Sequence, residues 1–149
     1  MKVRPLGPRD RQAWAAMRAE LWPDEDPDLL AHETLMHFSG TPQAAIVLIC
    51  EDRDGATCGF LELGLRPYAE GCTSSPVPFV EGWYVAPAAR HKGAGRALMD
   101  AAEGWAIIRN FTEIASDTQI DNSQGQGAHA ALGYEEVERL VTFRKPLRV

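Results

Sequence analysis

The sequence predicts one α+β domain over residues 1–149, built on a mixed β-sheet that is flanked by helices. Helical and strand-like segments follow one another in the order β-α-α-β-β-β-α-β-α-β-β. Residues 45–50 form a nearly continuous apolar run, which is typical of a buried strand. Residues 83–98 read as a strand, a basic glycine loop and a helix start. A chain of 149 residues is long enough for one domain with a substantial core.

The first segments predict a short strand and two helices. Residues 2–6 alternate in polarity and predict the strand. Residues 9–21 carry apolar side chains at helical spacing, and Trp22-Pro23 ends this helix because the residue before a proline disfavours helical geometry. Asp26-Pro27 is typical of an N-cap and a first helical position, so a second helix is predicted to run to about residue 38.

The middle of the chain predicts three consecutive strands. The apolar run at residues 45–50 is the first, and Asp52-Arg53-Asp54-Gly55 is a hairpin turn signal. The paired strand covers residues 58–66. A loop rich in Gly, Ser and Pro covers residues 67–78, and the central strand covers residues 79–85.

The last third predicts a helix, a strand, a short helix and a closing strand pair. The helix runs from residue 94 to about 108, and residues 113–118 form the next strand. A helical segment over residues 122–132 ends at Gly133, because glycine is favoured just past a helix C-terminus. The closing strands are predicted at residues 134–140 and 141–145.

Composition narrows the classes of partner. The net charge is −6, and residues 21–82 contain eleven Asp and Glu but only Arg53 and Arg66 as cations. This region suits a cationic partner, whereas the basic loop near residue 90 suits an anionic one. The chain has no extended basic stripe for nucleic acid and no apolar run long enough for a membrane span. The N-terminus lacks an apolar signal core, so we expect a cytoplasmic protein.

Cysteine and histidine usage predicts no metal site. The three cysteines are an odd number without metal-ligand spacing, and reduced thiols are the simplest interpretation. The four histidines form no ligand-spaced cluster.

The basic glycine loop carries the clearest functional signal. Its spacing, Arg90-x-x-Gly93-x-Gly95, places unhindered backbone N–H groups at a helix N-terminus, where partial positive charge accumulates. Cationic or potentially cationic side chains surround it: Arg90, His91, Lys92 and Arg96. A pyrophosphate is the natural guest, and the alternative is an ordinary βα connection with a solvated basic turn.

The loop is too short for a Walker A motif and lacks the full dinucleotide fingerprint. It resembles the acyl-CoA loop of the GCN5-related N-acetyltransferase superfamily, and the order of elements along the whole chain is similar to that fold. The resemblance implies that the loop amides hold the pyrophosphate of acetyl-CoA, the expected co-substrate. The residues implied in donor binding are Trp83, Tyr84, Val85, His91, Lys92, Gly93, Ala94, Gly95, Arg96 and Asn122.

Acetyl transfer also needs a polarised thioester carbonyl. The resemblance implies that the strand at Trp83-Tyr84-Val85 splays from its neighbour and frees the Val85 N–H to bond the thioester oxygen. Pro87 is consistent with strand pairing that ends nearby, since proline cannot donate to a ladder. The alternative is that Val85 is simply a buried strand residue.

The attacking amine must lose a proton, which a carboxylate can accept directly or through water. Glu81 and Asp117 are the candidates, because both lie near strand ends by the expected cleft. Glu81 precedes Val85 by four residues and therefore faces the same side of the strand. The alternative for each is a capping or turn carboxylate.

The last helical segment departs from the superfamily pattern. That pattern is Asn, an aromatic residue seven positions later and Gly-Phe four positions further; here it reads Asn122, His129 and Gly133-Tyr134. The aromatic position is often a tyrosine that protonates the departing thiolate. His129 either takes that role, since imidazole titrates near neutral pH, or packs against coenzyme A.

Five separated motifs, in order along the chain, resemble the aminoglycoside 6′-N-acetyltransferases; they include Leu21-Trp22-Pro23 and Gly71-Cys72-Thr73-Ser74-Ser75-Pro76-Val77. The resemblance implies a homodimer and direct attack in a ternary complex. Carboxylates suit the ammonium groups of these antibiotics, and aromatic faces suit their sugar rings. The residues implied in the antibiotic pocket are Trp22, Tyr68, Glu81, Asp117 and Glu138. Two alternatives stay open: an acetyltransferase of another polycationic amine, and a non-catalytic acyl-CoA-binding regulator.

Overall fold

A computed structural model describes residues 1–148, which separate into two compact units, residues 1–117 and residues from 118 onward. The larger unit holds five strands and three α-helices. In chain order these are β1 (Lys2–Pro5), α1 (Arg11–Leu21), α2 (Pro27–Phe38), β2 (Ile46–Glu51), β3 (Thr57–Arg66), β4 (Val77–Val85), α3 (Ala94–Ile108) and β5 (Ala115–Ser116). The smaller unit holds one helix, α4 (Ser123–Ala131).

The five strands form one mixed sheet in the order β1-β2-β3-β4-β5, which confirms the predicted class. Strands β1 to β4 pair antiparallel, and β5 pairs with β4 in parallel. A parallel pair needs a long crossover connection, and α3 supplies it.

Helices cover both faces of the sheet. Trp14 and Met17 of α1 share one apolar cluster with Phe60 of β3 and Tyr84 of β4. Gly59, the residue before Phe60, faces Leu98 of α3 instead. Since consecutive strand residues point to opposite faces, α1 and α3 lie on opposite sides of the sheet. The predicted strands and helices up to residue 108 are therefore present, with bounds that differ by a few residues.

The pairing of β3 with β4 contains a bulge at Glu81. Leu63 lies opposite Val80 and Glu62 lies opposite Gly82, so Glu81 is the extra residue of β4. A bulge bends its strand and increases the local twist. Glu81 is exposed while its neighbours Val80 and Gly82 are buried.

The extra residue also breaks the two-residue alternation, so the prediction that Glu81 faces the same side as Val85 is wrong. Glu81 lies on the α1 face, where a Cβ on Gly64 would be 3.3 Å from its Cγ, whereas Trp83, on the same face as Val85, packs against α3.

Two predictions in the last third were wrong. The strand predicted over residues 113–118 covers only Ala115–Ser116, because only these two residues pair with β4. The closing pair at residues 134–140 and 141–145 is not formed within the chain, and these residues are exposed except Tyr134. A strand needs a hydrogen-bonded partner, which an alternating sequence alone does not provide.

The N-terminal strand is tied to the start of α1 by a buried ion pair. Arg4 donates to both carboxylate oxygens of Asp10 at 2.7 and 2.8 Å, and its Nε donates to Glu51 at 2.6 Å. Asp10 is 4% exposed. Hydrogen bonding by Arg4 lowers the pKa of Asp10 from its usual 3.8 to about 2.

We expect Asp10→Asn to lower the free energy of unfolding at pH 7 by about 2 kcal/mol. The lowered pKa of Asp10 means that its contribution is complete above pH 4 and is lost as the pH falls towards 2. Urea unfolding at pH 7 and at pH 2.5 or below measures both effects. Asp54→Asn, in an exposed turn, is the control for loss of one charge, and an equal loss in both variants would contradict the prediction.

Candidate active site

The centre of the sheet opens where β5 ends. Strand β4 pairs with β5 only at Phe79 and Val80, but its pairing with β3 continues to Val85. Ala86 donates its N–H to the Cys58 carbonyl at 2.8 Å. In an antiparallel ladder hydrogen-bonded and non-hydrogen-bonded pairs alternate, so the N–H of Val85 points away from β3. It is directed to the side where pairing with β5 has already ended, as the proposed thioester contact requires.

The loop after β4 has the backbone shape of an anion cradle. His91 and Gly93 both have positive φ angles, 63° and 92°. A Cβ added to Gly93 would meet no atom within 4 Å, so open space lies in front of this residue at the start of α3. Arg90 donates from Nε to the Val85 carbonyl at 2.9 Å, which fixes the loop to the end of the strand.

The cationic side chains of this loop are exposed: Arg90, His91, Lys92 and Arg96. Helix α3 begins at Ala94, as predicted, so its N-terminal N–H groups and partial positive charge face the same region. The loop therefore suits a pyrophosphate on both geometry and charge.

The second glycine of the motif also has a packing role that its spacing does not indicate. A Cβ on Gly95 would lie 3.2 Å from the Trp83 ring, and the Trp83 indole donates to the Gly95 carbonyl at 3.2 Å. Gly95 thus makes room for Trp83 against α3. Tyr84, between Trp83 and Val85, buries its ring in the core beneath α1, so only its backbone faces the open edge.

A cavity of about 410 Å³ lies beside the bulge, within the larger unit. Trp22 and Glu81, two of the residues predicted to bind the acceptor, both line it. Its other walls include Glu25 and Leu29 near the start of α2 and Leu65 of β3. A half-buried indole and carboxylates around one hollow suit a ligand with both ring faces and cationic groups.

Arg66 holds Glu81 in place, a contact that the sequence analysis did not predict. Its Nε and Nη2 donate to the two oxygens of Glu81 at 2.8 and 2.7 Å, and its guanidinium lies 3.5 Å from the centroid of the Phe79 ring. The pKa of Arg66 is raised, chiefly by hydrogen bonding to Glu81 and also by the charges of Asp117 and Glu70. The negative charges of both predicted proton acceptors, Glu81 and Asp117, therefore act on Arg66.

Tyr68 is two residues beyond β3, on the loop that leads to β4, and is 67% exposed. The far end of this loop is anchored by Glu113, which accepts from the N–H groups of Thr73 and Ser74 and from the Ser74 hydroxyl. These hydrogen bonds lower the pKa of Glu113. Neither Tyr68 nor the exposed Asp117 lines the cavity, so the structure groups only Trp22 and Glu81 there.

In the smaller unit, Asn122 is the N-cap of α4. Its side-chain oxygen accepts from the Gly125 N–H at 2.9 Å, and its amide donates to the Thr118 hydroxyl at 3.0 Å. A Cβ on Gly125 would lie 2.5 Å from the Asn122 amide nitrogen, so this cap requires glycine. Asn122 therefore caps α4, a structural role in addition to the contact with acetyl-CoA that the resemblance implies.

His129 lies one turn after Gly125 on α4. Its Nδ1 is 2.7 Å from the Gly125 carbonyl, which can only accept, so Nδ1 carries a proton. In a neutral ring Nε2 is then the unprotonated nitrogen, and His129 can give up a proton from Nε2 only as an imidazolium. Glu138 lies in the exposed segment after α4 and is itself exposed.

No cluster of three or more His, Cys, Asp or Glu side chains suited to a metal ion occurs within residues 1–148. Over the same residues, no helix combines the length and the apolar character that crossing a membrane demands.

Comparison with known proteins identifies the family of the chain. Residues 11–134 match the Acetyltransferase (GNAT) family. The chain is 49% identical to an aminoglycoside N(6′)-acetyltransferase type 1 of Klebsiella aerogenes, with 97% of this chain and 96% of the relative covered. It is 44% identical to the protein of the same name from Stenotrophomonas maltophilia, over 97% and 93% of the two chains.

Solved structures give the same result. The structure of AAC(6′)-Iy in complex with the bisubstrate analogue CoA-S-monomethyl-acetylneamine matches with a TM-score of 0.87 and 32% identity, covering 98% of both chains. The aminoglycoside 6′-N-acetyltransferase AAC(6′)-IG of Acinetobacter haemolyticus matches with a TM-score of 0.85 and 33% identity, over 99% of this chain and 100% of the other.

The fold, the open strand edge and the glycine loop define an acyl-CoA-dependent N-acetyltransferase, and the chain belongs to the GNAT family. Within that family it groups with the aminoglycoside N(6′)-acetyltransferases, and acetyl-CoA is its co-substrate. The predicted family is thus confirmed.

We expect Gly93→Asp to weaken acetyl-CoA binding at least tenfold, because a carboxylate would enter the open space in front of the α3 N-terminus. Isothermal titration with acetyl-CoA measures the effect. Gly93→Asn is the matched control, since it places a side chain of the same shape at the same positive φ without the charge. An unchanged dissociation constant in Gly93→Asp would contradict the phosphate-binding interpretation of the loop.

Proposed function

We propose that this protein transfers the acetyl group of acetyl-CoA to the 6′-amino group of aminoglycosides and thereby confers resistance to them. The observation that carries the proposal is the 49% identity, over nearly the whole of both chains, to a relative named for this activity. The acidic cavity beside the open strand supports it, since aminoglycosides are polycations built from sugar rings.

In the proposed reaction the acceptor amine attacks the thioester carbonyl directly in a ternary complex. A C–N bond forms, the C–S bond breaks with its electron pair going to sulfur, and the amine loses one proton. The Val85 N–H is placed to stabilise the charge that develops on the carbonyl oxygen. The glycine loop is proposed to bind the pyrophosphate of the donor. Because the amine itself displaces the thiolate, no covalent enzyme intermediate is required.

We assign the proton acceptor to Asp117, directly or through a water molecule, and cation binding to Glu81. Both Glu81 oxygens already accept N–H groups of the Arg66 guanidinium, so proton uptake there would have to break this ion pair, whereas a partly exposed carboxylate can still pair with an ammonium group. The imidazolium of His129 is the proposed donor of a proton to the departing thiolate, from Nε2. Tyr68 and Glu138 are proposed to complete the acceptor contacts.

We further propose that the chain acts as a single acetyltransferase domain and as a homodimer in the cytoplasm, without nucleic-acid or membrane partners. The family match extends over residues of both compact units. Apolar side chains of the exposed C-terminal segment support self-association: Val137, Leu140, Val141, Phe143 and Leu147. The three cysteines are free, as expected in a reducing compartment.

The first experiment measures thiol release from acetyl-CoA with two matched aminoglycosides, one with a 6′-amino and one with a 6′-hydroxyl group. We expect turnover with the 6′-amine alone. If neither antibiotic reacts but a polyamine or peptide amine does, the acidic cavity serves another polycation and the proposed acceptor is wrong. Binding of acetyl-CoA without turnover of any amine would indicate a regulator instead.

We expect Asp117→Asn and Glu81→Gln each to reduce kcat/KM for the antibiotic at least tenfold while the dissociation constant of acetyl-CoA stays unchanged. Asp117→Asn removes the proposed base and should mainly lower kcat, whereas Glu81→Gln should mainly raise KM for the antibiotic. Steady-state kinetics with varied acceptor separate the two effects. Asp54→Asn again controls for loss of charge, and near-normal kcat/KM in both site variants would contradict these assignments.

A further inference from the structure

A buried arginine lies between two indole rings at the floor of the cavity. The guanidinium carbon of Arg18 is 5.2 Å from the centroid of the Trp14 ring and 5.0 Å from that of Trp22. Arg18 is 5% exposed. Cation–π contacts are strongest when they are withdrawn from water, so this stack restrains both rings.

The guanidinium is held from several directions. Its Nε donates to Glu62 of β3 at 2.6 Å, and its Nη2 donates to Glu33 of α2 at 2.9 Å. Its Nη1 donates to the Leu30 carbonyl at 3.3 Å. The fixed planar fork of arginine makes such an arrangement rigid, and two carboxylates neutralise its charge inside a cavity that suits cations.

The Trp22 ring is held on its other sides as well. Trp22 follows the last residue of α1, and its N–H donates to the Arg18 carbonyl at 2.9 Å. Its ring edge lies against Gly82, where an added Cβ would be only 2.9 Å from the ring. Phe60 contacts it edge to face, with 6.3 Å between centroids. The half-buried ring lines the cavity together with Glu81, the residue next to Gly82.

We infer that Arg18 is a positioning residue for acceptor binding: it holds the Trp22 indole at the cavity wall beside Glu81, where the ring packs on a sugar of the cationic substrate. This inference rests on the proposed function for the identity of the ligand. If the indole swings away, the packing surface and the Glu81 carboxylate no longer match one sugar ring and its ammonium group. Although Arg18 lines the floor of the cavity, it is 5% exposed, and in this inference it acts on the substrate through Trp22.

The test is the double variant Arg18→Met/Glu62→Gln. Methionine keeps much of the length of the side chain but removes the planar cation, and glutamine avoids a buried carboxylate without its partner while it still accepts from the Trp14 indole. We expect KM for the aminoglycoside to rise at least tenfold relative to Glu62→Gln alone. The kcat should stay within about twofold, and the dissociation constant of acetyl-CoA should not change.

A second pair of variants tests whether the effect passes through Trp22. In a protein that already carries Trp22→Ala, adding Arg18→Met/Glu62→Gln should raise KM for the aminoglycoside by less than twofold. Gly82→Ala should reproduce the tenfold rise in KM, because its methyl group displaces the indole while Arg18 is intact. An unchanged KM in the double variant, or the same rise in KM with and without Trp22, would overturn the inference.

A spectroscopic measurement separates this inference from the proposed function. With 5-fluorotryptophan in place of the four tryptophans, the ¹⁹F resonance of Trp22 can be assigned from Trp22→Phe. We expect the Arg18 change to shift or broaden that resonance without any substrate, and an unaffected resonance would overturn the inference. If the wild-type protein acetylates no aminoglycoside, the proposed function fails, but the measurement still decides whether Arg18 positions Trp22.

Discussion

The site depends on one constraint in the sheet, namely that β4 extends further along β3 than along β5. Pairing with β5 ends at Val80, the bulge follows at Glu81, and pairing with β3 continues to Val85. Beyond the bulge, the N–H groups of β4 that point away from β3 therefore face an opening and not another strand. A sheet normally satisfies its own hydrogen bonds, and here an interrupted ladder leaves a donor available for chemistry. The glycine loop follows at the end of the same strand, which brings the proposed pyrophosphate-binding loop next to this opening.

In the larger unit, three carboxylates that anchor the fold or line the cavity each accept hydrogen bonds from an arginine. Arg4 holds Asp10 at the start of α1, Arg18 holds Glu62 beneath the cavity, and Arg66 holds Glu81 at its edge. The first pair joins β1 to the turn before α1, the second joins α1 to β3, and the third joins the neighbouring strands β3 and β4. The buried pairs reduce the cost of withdrawing charge from water, because each carboxylate keeps charged donors. The exposed pair at Glu81 instead leaves part of its carboxylate accessible to a ligand.

Much of the fold could be predicted from local signals. Proline and N-cap signals marked the start of α2 at Pro27, and glycine spacing marked the start of α3 at Ala94. The bulge could not be predicted, because it depends on the register between β3 and β4 and not on the sequence of either strand. The closing strands failed for a related reason: residues 134–145 have suitable alternation, but pairing depends on a partner that propensity does not specify.

The site was predictable where a motif fixes the backbone and unpredictable where side chains meet across elements. The loop around Gly93 has the predicted conformation, whereas Gly95 packs against Trp83 and Asn122 caps α4. The contacts of Arg66 and Arg18 were missed, although one signal was available for Arg66. Arg66 is one of only two Lys or Arg residues in residues 21–82, a stretch with eleven Asp and Glu, so a carboxylate partner was to be expected.

The contact between Gly82 and Trp22 also has an evolutionary consequence. Any side chain at position 82 would collide with the indole, so a change there disturbs the cavity wall before it can create a new specificity. The cavity residues near the start of α2, Glu25 and Leu29, are exposed and have no such restriction. Under selection by a new antibiotic, a lineage is therefore expected to diversify on the α2 side of the pocket while the strand side stays fixed. The contact between Gly82 and Trp22 thus limits change on one wall of the cavity, whereas the wall near the start of α2 can change with the antibiotic.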